Sequence, residues 1–451
     1  MKRKVRRTLS ATQALVFGFI LVLGIGALLL HLPIASADGS RTPILDCLFT
    51  AVSATCVTGL VVVDTATHWS SFGHAVILVM IQTGGLGFMT FAALFSMLLR
   101  RRISPRERIL LANSYNLVSF EGLVPLVRRV LFGTLAFEAC GAVLLMIRFI
   151  PRFGIGRGIW MGIFHSISAF CNAGFDLMGG YTGKFSSLVG FVEDPAVCLT
   201  LSALIMIGGI GFIVWDDLYE WFRRRNPLTV YTKLVLVVSC ILWIGGTLLY
   251  AQQEWNNPTT LGTLSVSDKI IAAFFQSVTM RTAGFNTISL SDMTSVSQAG
   301  SLVLMFIGGA SGSTAGGVKV ASFAIIFYSV WLFAAGREHI TLFRRTIPLN
   351  TVVRAFTLCG IQFAITSAAA LVLLDADLPL MPALFEVFSA SGTVGLTMGL
   401  TPTLPILQRL IVMVLMYFGR VGILTIAMAG HSKATDDMNQ MRYADTQLMI
   451  G

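Results

Sequence analysis

The sequence has few charged residues: only 12% of its 451 residues are Asp, Glu, Lys or Arg, whereas 55% are hydrophobic. Soluble domains carry about 25% charged residues, so this composition excludes an ordinary globular enzyme and a disordered chain. It is instead typical of a polytopic membrane protein, so we expect the lipid bilayer as a partner. The formal net charge of +10 is therefore interpreted as basic cytoplasmic loops and not as a nucleic-acid surface.

Patterns for catalysis and metal binding are also missing. The seven cysteines are odd in number and show neither CxxC spacing nor clustering with His, which argues against a disulfide framework and a metal site. The six histidines are scattered, and neither HExxH nor GxSxG occurs. We therefore expect no enzyme, no catalytic residue, no covalently bound cofactor and no nucleic-acid partner.

Eight apolar segments are long enough to span the bilayer, which takes about 20 helical residues. They lie near 11–32, 74–99, 126–150, 197–222, 230–251, 297–335, 352–374 and 405–430. A shorter apolar stretch that ends in glycine lies within each successive pair, at 43–60, 160–175, 268–285 and 381–396. These stretches are too short to cross the bilayer and predict re-entrant segments. The expected fold class is an all-α polytopic membrane protein made of helix, pore loop, helix units.

The distribution of positive charge predicts the orientation. With the N-terminus in the cytoplasm, 22 of the 32 Lys and Arg residues fall inside and seven outside, while Arg281, Lys319 and Arg420 lie at membrane depth. Cytoplasmic loops of membrane proteins are enriched in Lys and Arg. We therefore expect a multi-pass protein of the cell membrane with both termini in the cytoplasm. The first helix is expected to be retained and not cleaved as a signal peptide.

The helix, pore loop, helix unit recurs four times. The re-entrant segments read FTAVSATCVTGL, FHSISAFCNAGF, FQSVTMRTAGF and FEVFSASGTVGL, and their closing glycines are Gly59, Gly174, Gly284 and Gly395. These glycines are 115, 110 and 111 residues apart. A second signature follows in each unit: IQTGGLGF, IMIGGIGF, MFIGGASG and MYFGRVGI. Two signatures in register predict repeats at 1–110, 111–226, 227–346 and 347–430, with a cytoplasmic tail at 431–451.

Four half-helices that end in glycine-closed loops would converge on one axis if the repeats have pseudo-four-fold symmetry. A ring of backbone carbonyls then replaces the hydration shell of a cation, and the negative ends of the half-helices point at it. Glycine reaches the left-handed dihedrals that turn carbonyls inward. For any single glycine, helix packing is the alternative. The predicted potassium-binding filter residues are Cys56, Val57, Thr58, Gly59, Cys171, Asn172, Ala173, Gly174, Arg281, Thr282, Ala283, Gly284, Gly392, Thr393, Val394 and Gly395.

Two details of the filter segments follow from the same alignment. The loop side chains Thr58, Asn172, Thr282 and Thr393 are neutral and small, whereas a filter for divalent cations would be expected to carry carboxylates. The third segment is one residue shorter than the others, with five residues from Thr279 to Gly284 instead of six. We expect a filter for a monovalent cation with one asymmetric loop.

The third repeat breaks the helical pattern. Residues 308–319 read GGASGSTAGGVK, with five glycines in the middle of a predicted span. Such a stretch has low helix propensity, and unwound backbone is tolerated at this depth only inside protein or beside water. We interpret it as a mobile gate below the filter; a passive kink is the alternative, and a phosphate loop is excluded because GxxxxGK[ST] is absent. The predicted gate residues are Gly308, Gly309, Ala310, Ser311, Gly312, Ser313, Thr314, Ala315, Gly316, Gly317, Lys319 and Arg420.

Two arginines at membrane depth need partners, because a charge at the centre of the bilayer costs at least about 2.5–3.5 kcal/mol. Arg420 stands where the other repeats have the second glycine of their second signature. It either lies by the ion path, where it repels cations or binds carbonyls of the 308–317 loop, or it pairs with an acid such as Glu386. Arg281, inside the third filter segment, is expected to bond to carbonyls or to a neighbouring half-helix and so brace the loop.

These motifs resemble those of the Trk/Ktr/HKT superfamily of potassium transporters over nearly the whole chain, and most closely the KtrB-type membrane subunit of bacterial Ktr systems. The segments that carry the resemblance are FTAVSATCVTGL, SAFCNAGF, RTAGFN, SGTVGLTMGLTP, ISPRERILL and the tail MRYADTQLMIG. The resemblance implies a homodimer in the bacterial plasma membrane, with one pore per monomer and sodium-assisted potassium uptake. It also implies control by a cytoplasmic octameric ring of RCK-type (KtrA/KtrC-like) subunits that binds ATP, ADP or an NAD-type nucleotide.

The sequence therefore predicts a potassium-selective, channel-like translocating subunit. No cytoplasmic segment is long enough to form a nucleotide-binding domain, so any nucleotide control must come from another chain. The alternative is a secondary transporter that couples a small solute to Na⁺ or H⁺, although inverted repeats would suit that function better than repeats of one orientation. A membrane enzyme or an assembly scaffold is the least favoured interpretation.

Overall fold

The computed structural model describes residues 11–87, 123–337, 339–374 and 378–422. Within these ranges the chain is mostly α-helical, and the elements form four consecutive units of the same order. Each unit has an outer helix, a pore helix and an inner helix. The pore helix ends at a loop that contains the predicted filter residues, and we call this loop the filter loop. The expected all-α class with pore-loop repeats is confirmed. The tail at 431–451 and the ISPRERILL motif lie outside the described residues.

The first two units contain eight helices within the described ranges. In unit 1 these are the outer helix α1 (Ala11–Leu30), the pore helix α2 (Ile44–Thr55), the single turn α3 (Thr65–His68) and the inner helix α4 (Ser71–Leu86). In unit 2 they are the outer helix α5 (Leu123–Phe153), the pore helix α6 (Ile155–Phe170), the inner helix α7 (Pro195–Gly209) and a following helix α8 (Phe212–Arg224).

The third and fourth units follow the same order. Unit 3 has the outer helix α9 (Val230–Glu254), the pore helix α10 (Val266–Thr279), the inner helix α11 (Ser295–Phe306) and, after the loop at 308–317, the helix α12 (Val320–Ala334). A small antiparallel hairpin of β1 (Thr341–Leu342) and β2 (Arg345–Thr346) leads to unit 4. Unit 4 has the outer helix α13 (Leu349–Leu374), the pore helix α14 (Leu380–Gly392) and the inner helix α15 (Ile406–Val421).

The helices pack into a closed ring. Each outer helix contacts the pore helix of its own unit. Each inner helix also contacts the pore helix of the next unit, through the pairs α4 with α6, α7 with α10, α11 with α14, and α15 with α2. Because the last pair returns to the first unit, the four units enclose one axis. The phenylalanine that opens each re-entrant motif is fully buried at this ring, at Phe49, Phe164, Phe275 and Phe385.

The second span of unit 2 differs from the prediction. The apolar segment 197–222 was expected to be one continuous helix, but it breaks at Ile210 and Gly211, and α7 meets α8 at 95°. In the described part of the chain, α5, α9 and α13 are the single helices long and apolar enough to cross a membrane, and the bent pair of α7 and α8 passes the same criterion together. Other described apolar helices are shorter, among them the inner helices α4 and α11.

The second glycine signature explains where the inner helices end. Its last glycine has a positive φ in all four units, at +83° for Gly87, +96° for Gly211, +66° for Gly312 and +86° for Gly422. Gly312 lies in the 308–317 loop, whereas the other three stand where their inner helices end. A residue in this conformation ends an α-helix, and glycine adopts it without strain. The first glycine of the signature has a different role: a Cβ atom on Gly208 would lie 2.0 Å from the carbonyl oxygen of Phe170 at the end of the pore helix. The signature therefore both stops the inner helix and lets it approach the filter.

Candidate ion pathway

The four filter loops share one unusual backbone conformation. Each has a left-handed non-glycine residue two positions before a left-handed glycine. The first set is Val57, Asn172, Thr282 and Thr393, with φ of 57°, 57°, 72° and 52°, and the second is Gly59, Gly174, Gly284 and Gly395, with φ of 98°, 69°, 85° and 92°. Such dihedrals are strained for β-branched residues. The same strained pair at four matched positions indicates a common structural requirement.

This conformation corrects the side-chain alignment of the first loop. The sequence pattern aligns Thr58 with Asn172, Thr282 and Thr393, but the residue in the equivalent left-handed position is Val57. Thr58 instead corresponds to Ala173, Ala283 and Val394, which directly precede the filter glycines. The error arose because the Thr at 58 looked like the Thr at 282 and 393, although it lies one residue closer to its glycine.

The third segment is one residue shorter because the turn between its pore helix and the filter glycine is tighter. In three loops the residue before the filter glycine donates to a carbonyl five positions back, through the pairs Thr58 with Ser53, Ala173 with Ser168, and Val394 with Ser389, all 2.8 Å. In the third loop Ala283 donates to Thr279, four positions back, at 3.0 Å. Gly284 therefore keeps the same place in the ring in spite of the shorter segment.

The four filter glycines are in direct contact around the axis. A Cβ atom on any of them would collide with the carbonyl oxygen of the residue that precedes the filter glycine of the next unit. The distances are 2.5 Å from Gly59 to Ala173, 2.8 Å from Gly174 to Ala283, 2.7 Å from Gly284 to Val394 and 1.9 Å from Gly395 to Thr58. A Cβ closer than 3.0 Å to backbone forces a shift, so no side chain fits at these positions. The four loops form a closed ring.

A cavity of about 330 Å³ opens on one side of this ring and is lined by all four filter glycines. We call it the vestibule. Two carboxylates line it, Asp64 and Asp176, together with polar side chains that include Ser187, Asn286 and Thr397. Asp64 is tied into the wall, because it accepts hydrogen bonds from the backbone amides of Thr67 and Phe185, both at 2.9 Å. The vestibule has the polarity and the negative charge that attract a cation to the ring.

The other carboxylate of the vestibule, Asp176, follows the second filter loop. One of its oxygens accepts a hydrogen bond from the backbone amide of Met178 at 2.9 Å. Burial raises the pKa of Asp176 to about 6, and the nearby Asp64 acts in the same direction. Asp176 is therefore mostly ionised at neutral pH and becomes protonated in mildly acidic solution.

The 308–317 loop interrupts the span of unit 3, as the sequence predicted. Its two ends are joined, since the amide of Gly308 donates to the carbonyl of Val318 at 2.9 Å. Between them the loop contacts unit 2: Ala310 donates to the carbonyl of Gly209 at 3.0 Å, and the Thr314 hydroxyl donates to the carbonyl of Phe170 at 3.1 Å. The loop is therefore held by the end of the pore helix and the end of the inner helix of the preceding unit.

The same loop also contacts unit 4, next to the filter. The amide of Gly317 donates to the carbonyl of Gly419 at 3.3 Å. A Cβ atom on Gly316 would lie 2.1 Å from the hydroxyl oxygen of Thr393, the left-handed residue of the fourth filter loop. The loop and the filter are thus in van der Waals contact, and glycine is required at 316 for that approach.

Arg420 connects three of the four units. From the last turn of α15 its guanidinium donates to the carbonyl of Thr314 in the 308–317 loop. It also donates to the carbonyls of Gly84 and Gly85, the latter at 2.9 Å, where α4 ends. Carbonyls at a helix C-terminus carry partial negative charge and lack partners within the helix, which suits a guanidinium. Glu386, the acid considered as a partner, accepts instead from Thr397 and Thr401, at 2.7 and 2.5 Å.

The two other cations at membrane depth also bond to the loop. Arg281 donates to the carbonyl of Gly308 at 3.1 Å, and its guanidinium lies 5.4 Å from the ring centre of Trp243. Lys319 donates to the carbonyl of Ala315 at 2.9 Å. Arg281 therefore links the third filter loop to the first residue of the 308–317 loop. All three cations donate hydrogen bonds to backbone carbonyls of that loop.

A buried polar group behind the second filter loop was missed by the sequence analysis. Glu138 of α5 is 5% exposed and accepts a hydrogen bond from the amide of Gln82 at 3.2 Å. The Cys171 thiol lies 3.5 Å from the side-chain oxygen of Gln82 and 3.9 Å from a carboxylate oxygen of Glu138. An acid in the middle of the apolar segment 126–150 was the signal that could have identified this group.

Comparisons with known proteins give concordant results. The family model TrkH, described as a cation transport protein, matches residues 3–441. The chain is 40% identical to the potassium/sodium uptake protein NtpJ of Enterococcus hirae, covering 100% of this chain and 99% of that protein. It is also 40% identical to the Ktr system potassium uptake protein B of Bacillus subtilis, covering 97% and 96% of the two chains.

The fold has a counterpart among solved structures. The crystal structure of the potassium transporter TrkH from Vibrio parahaemolyticus superposes with a TM-score of 0.72, at 18% sequence identity. The match covers 95% of this chain and 86% of that chain. It shows that the two proteins share a fold.

Proposed function

Because the chain belongs to the TrkH family of cation transport proteins, which are not enzymes, we propose that it is the potassium-selective, ion-translocating subunit of a potassium uptake system. The observation that carries this proposal is the closed ring of four filter glycines at the floor of the vestibule. The names of two relatives, a Ktr system potassium uptake protein and a potassium/sodium uptake protein, support potassium as the transported ion.

The proposed selectivity filter consists of the backbone carbonyls of 56–59, 171–174, 281–284 and 392–395. The pore helices end immediately before these carbonyls, so the negative ends of four helix dipoles point towards a cation in the ring. Left-handed residues at matched positions orient the carbonyls in the same way in all four loops. Neutral ligands of this kind replace the water of a monovalent cation such as K⁺.

The proposed gate is the 308–317 loop with Lys319 and Arg420. The loop contacts the filter at Thr393 and crosses to units 2 and 4. An ion that leaves the filter on the side opposite the vestibule therefore meets this loop. Arg420 is a side-chain brace of the loop, so its movement would weaken the hold on the loop without unfolding a helix.

Regulation and assembly belong to the same proposal. We assign nucleotide control to a separate cytoplasmic RCK-type octameric ring, and the transporter itself to a homodimer in the bacterial plasma membrane with both termini in the cytoplasm. Support comes from the relative named as component B of a Ktr system, a name that implies further components. Sodium assistance is proposed on the name of the potassium/sodium relative. The repeat boundaries near 110, 226 and 346 remain part of the proposal.

A secondary transporter of a small solute is less well supported. Transporters of that kind often place the substrate between inverted repeats. Here the four units run in one orientation around one axis, and the inner helix of each contacts the pore helix of the next. That arrangement favours an ion path along the central axis over a substrate site between two halves of the protein.

The test is growth of a bacterial strain that lacks its own potassium uptake systems. The full-length chain should restore growth at low potassium, alone or more strongly with an RCK-type partner, and should raise ⁸⁶Rb⁺ uptake. A Gly174→Val variant, in which the side chain collides with the ring, should fail although the protein reaches the membrane in normal amounts. No rescue with or without the partner, at normal protein levels, would contradict the proposal.

A further inference from the structure

The helix α8 has an orientation that sets it apart from the helix before it. It begins after the break at Gly211 and runs at 95° to α7, one of the apolar helices of the ring. Because α7 belongs to the ring that crosses the membrane in the proposed topology, a helix at 95° to it runs along the membrane plane. Its sequence, FIVWDDLYEWFRR, combines apolar, aromatic, acidic and basic residues in 13 positions, as in helices that lie at the membrane surface.

The acidic residues of α8 are used to hold it against its own protein. Arg129, near the start of α5, donates to Asp216 and Glu220, the second at 3.1 Å. Asp217 accepts from the amide and the hydroxyl of Thr229, both at 2.9 Å, where α9 begins. The helix is thereby fixed across the starting ends of two outer helices, which are their cytoplasmic ends in the proposed topology.

The last turn of α8 carries residues without such an anchor. Trp221 is 38% exposed and Phe222 is 73% exposed. Three consecutive arginines follow, Arg223, Arg224 and Arg225, all exposed. Arg224 makes an ion pair within the helix, with Glu220 at 3.3 Å, and its side chain is still 69% exposed. Aromatic rings beside a cluster of arginines suit the boundary between acyl chains and anionic headgroups.

We infer that the last turn of α8, residues 221–225, is a binding surface for anionic phospholipid headgroups of the cytoplasmic leaflet. The arginines supply the complementary charge, and Trp221 and Phe222 supply the apolar contact. The right-angle turn at Gly211 brings both to the depth of the headgroups. We choose a lipid as the partner because aromatic and basic side chains lie together at 221–225, at the end of a helix that directly follows the membrane helix α7.

The other end of α8 contacts the proposed gate. The amide of Phe212 donates to the carbonyl of Gly312 at 2.8 Å, and a Cβ atom on Gly211 would lie 3.1 Å from the carbonyl oxygen of Ser311. The Tyr231 hydroxyl, from α9, donates to that same Ser311 carbonyl at 3.1 Å. A lipid that holds α8 therefore acts on the middle of the 308–317 loop. This effect on flux rests on the proposed function, whereas the lipid site itself rests only on the proposed orientation in the membrane.

The test uses the purified full-length protein reconstituted in phosphatidylcholine membranes with or without phosphatidylglycerol and without any regulatory partner. Photoactivatable phosphatidylglycerol and photoactivatable phosphatidylcholine are the two probes, and the labelled peptides are mapped by mass spectrometry. We expect phosphatidylglycerol to label 219–225 several-fold more than phosphatidylcholine does. We also expect it to change ⁸⁶Rb⁺ flux several-fold.

Three matched variants separate the explanations. The triple variant Arg223→Gln, Arg224→Gln, Arg225→Gln should lose the selective labelling and the lipid dependence of flux. The corresponding Arg→Lys triple should retain both, because it keeps the charge. The control Arg337→Gln, Arg344→Gln, Arg345→Gln removes the same charge from exposed positions near β1 and β2 and should behave as the unmodified protein does.

Several outcomes would overturn the inference. Equal labelling by the two lipids, or unchanged labelling in the Gln triple, removes the lipid site. If the control triple loses the selective labelling and the lipid dependence of flux to the same extent, the effect depends on the net charge of the protein and not on this surface. In a second reconstitution that includes an RCK-type ring, a Gln triple that keeps its lipid response but is no longer stimulated by the ring assigns the surface to a protein partner. If no variant conducts ions but the selective labelling persists, the proposed function fails and the lipid site stands.

Discussion

The guanidinium of Arg420 donates a hydrogen bond to the backbone carbonyl of Thr314, in the middle of the loop that interrupts the third unit. The same group bonds to Gly84 and Gly85, where the inner helix of the first unit ends. One side chain of the fourth unit thus fixes the loop relative to the rest of the ring. A residue with no donor would remove this partner from the carbonyls of Thr314 and Gly85, which destabilises the position of the loop.

We expect Arg420→Ala to increase ion flux several-fold and to reduce the dependence on a regulatory partner. The loop loses its bond to α15 and the first unit, so its open position becomes easier to reach. Arg420→Lys keeps the charge but cannot reach all the carbonyls with a forked group, and its flux should be intermediate. The measurement is ⁸⁶Rb⁺ uptake into proteoliposomes. A lower flux at normal protein levels would show that Arg420 does not restrain the loop.

Deletion of residues 311–316 should raise flux at least as much as Arg420→Ala does. It removes the carbonyl that Arg420 binds and the glycine that contacts Thr393. Combining the two changes should add little, because both disrupt the same interaction. Comparing uptake rates of the two single variants and the double variant tests this expectation. Additive effects would mean that the arginine and the loop act separately.

Replacement of a filter glycine should relax the preference for K⁺ over Na⁺. Gly59→Ser combines a positive φ with a Cβ at 2.5 Å from the carbonyl oxygen of Ala173, so the carbonyls must shift. We expect the preference to fall by about tenfold, which corresponds to about 1.4 kcal/mol. Gly39→Ser is the matched control, with φ of +73° and no atom within 4 Å of a Cβ. It should keep the selectivity, and equal changes in the two variants would place Gly59 outside the filter.

Potassium uptake should weaken in acidic medium because of Asp176. Burial raises its pKa to about 6, so the carboxyl is ionised above that pH and neutral below it. Protonation removes the negative charge of Asp176 from the vestibule, which then attracts cations less, and we expect the apparent affinity for K⁺ to fall several-fold as the external pH drops through 6. Uptake measured as a function of K⁺ concentration at several pH values gives this dependence.

Two variants define the residue responsible for that pH effect. Asp176→Asn should have low affinity at all pH values and should lack the dependence. Asp38→Asn is the control, because hydrogen bonds from Ser36 and Ser40 hold the pKa of Asp38 well below its usual range, and this side chain does not line the vestibule. If Asp176→Asn keeps the full pH dependence, another group is responsible.

Local patterns in the sequence were sufficient for the four pore-loop units, for the glycines of positive φ that close their loops and for the break at 308–317. Each depends on residues close in sequence, such as a glycine that must be left-handed or a run with low helix propensity. Three features depended on more distant relations. The break at Gly211 lies in an apolar segment whose hydropathy gives no sign of a 95° bend. The equivalence of Val57 with Asn172, Thr282 and Thr393 is visible only in the backbone dihedrals. Arg420 bonds to a carbonyl 336 residues away in the sequence.

Among the described residues, the loop at 308–317 occurs in one unit only, which is possible because the four units belong to one polypeptide. Four identical chains around an axis would bring four copies of this loop to the same place, where they would collide. With four units joined in one polypeptide, each copy is free to diverge after duplication, and a single unit can extend a segment that its neighbours accommodate. Concatenation of the units thus permits one asymmetric closing element beside a filter that keeps its near symmetry.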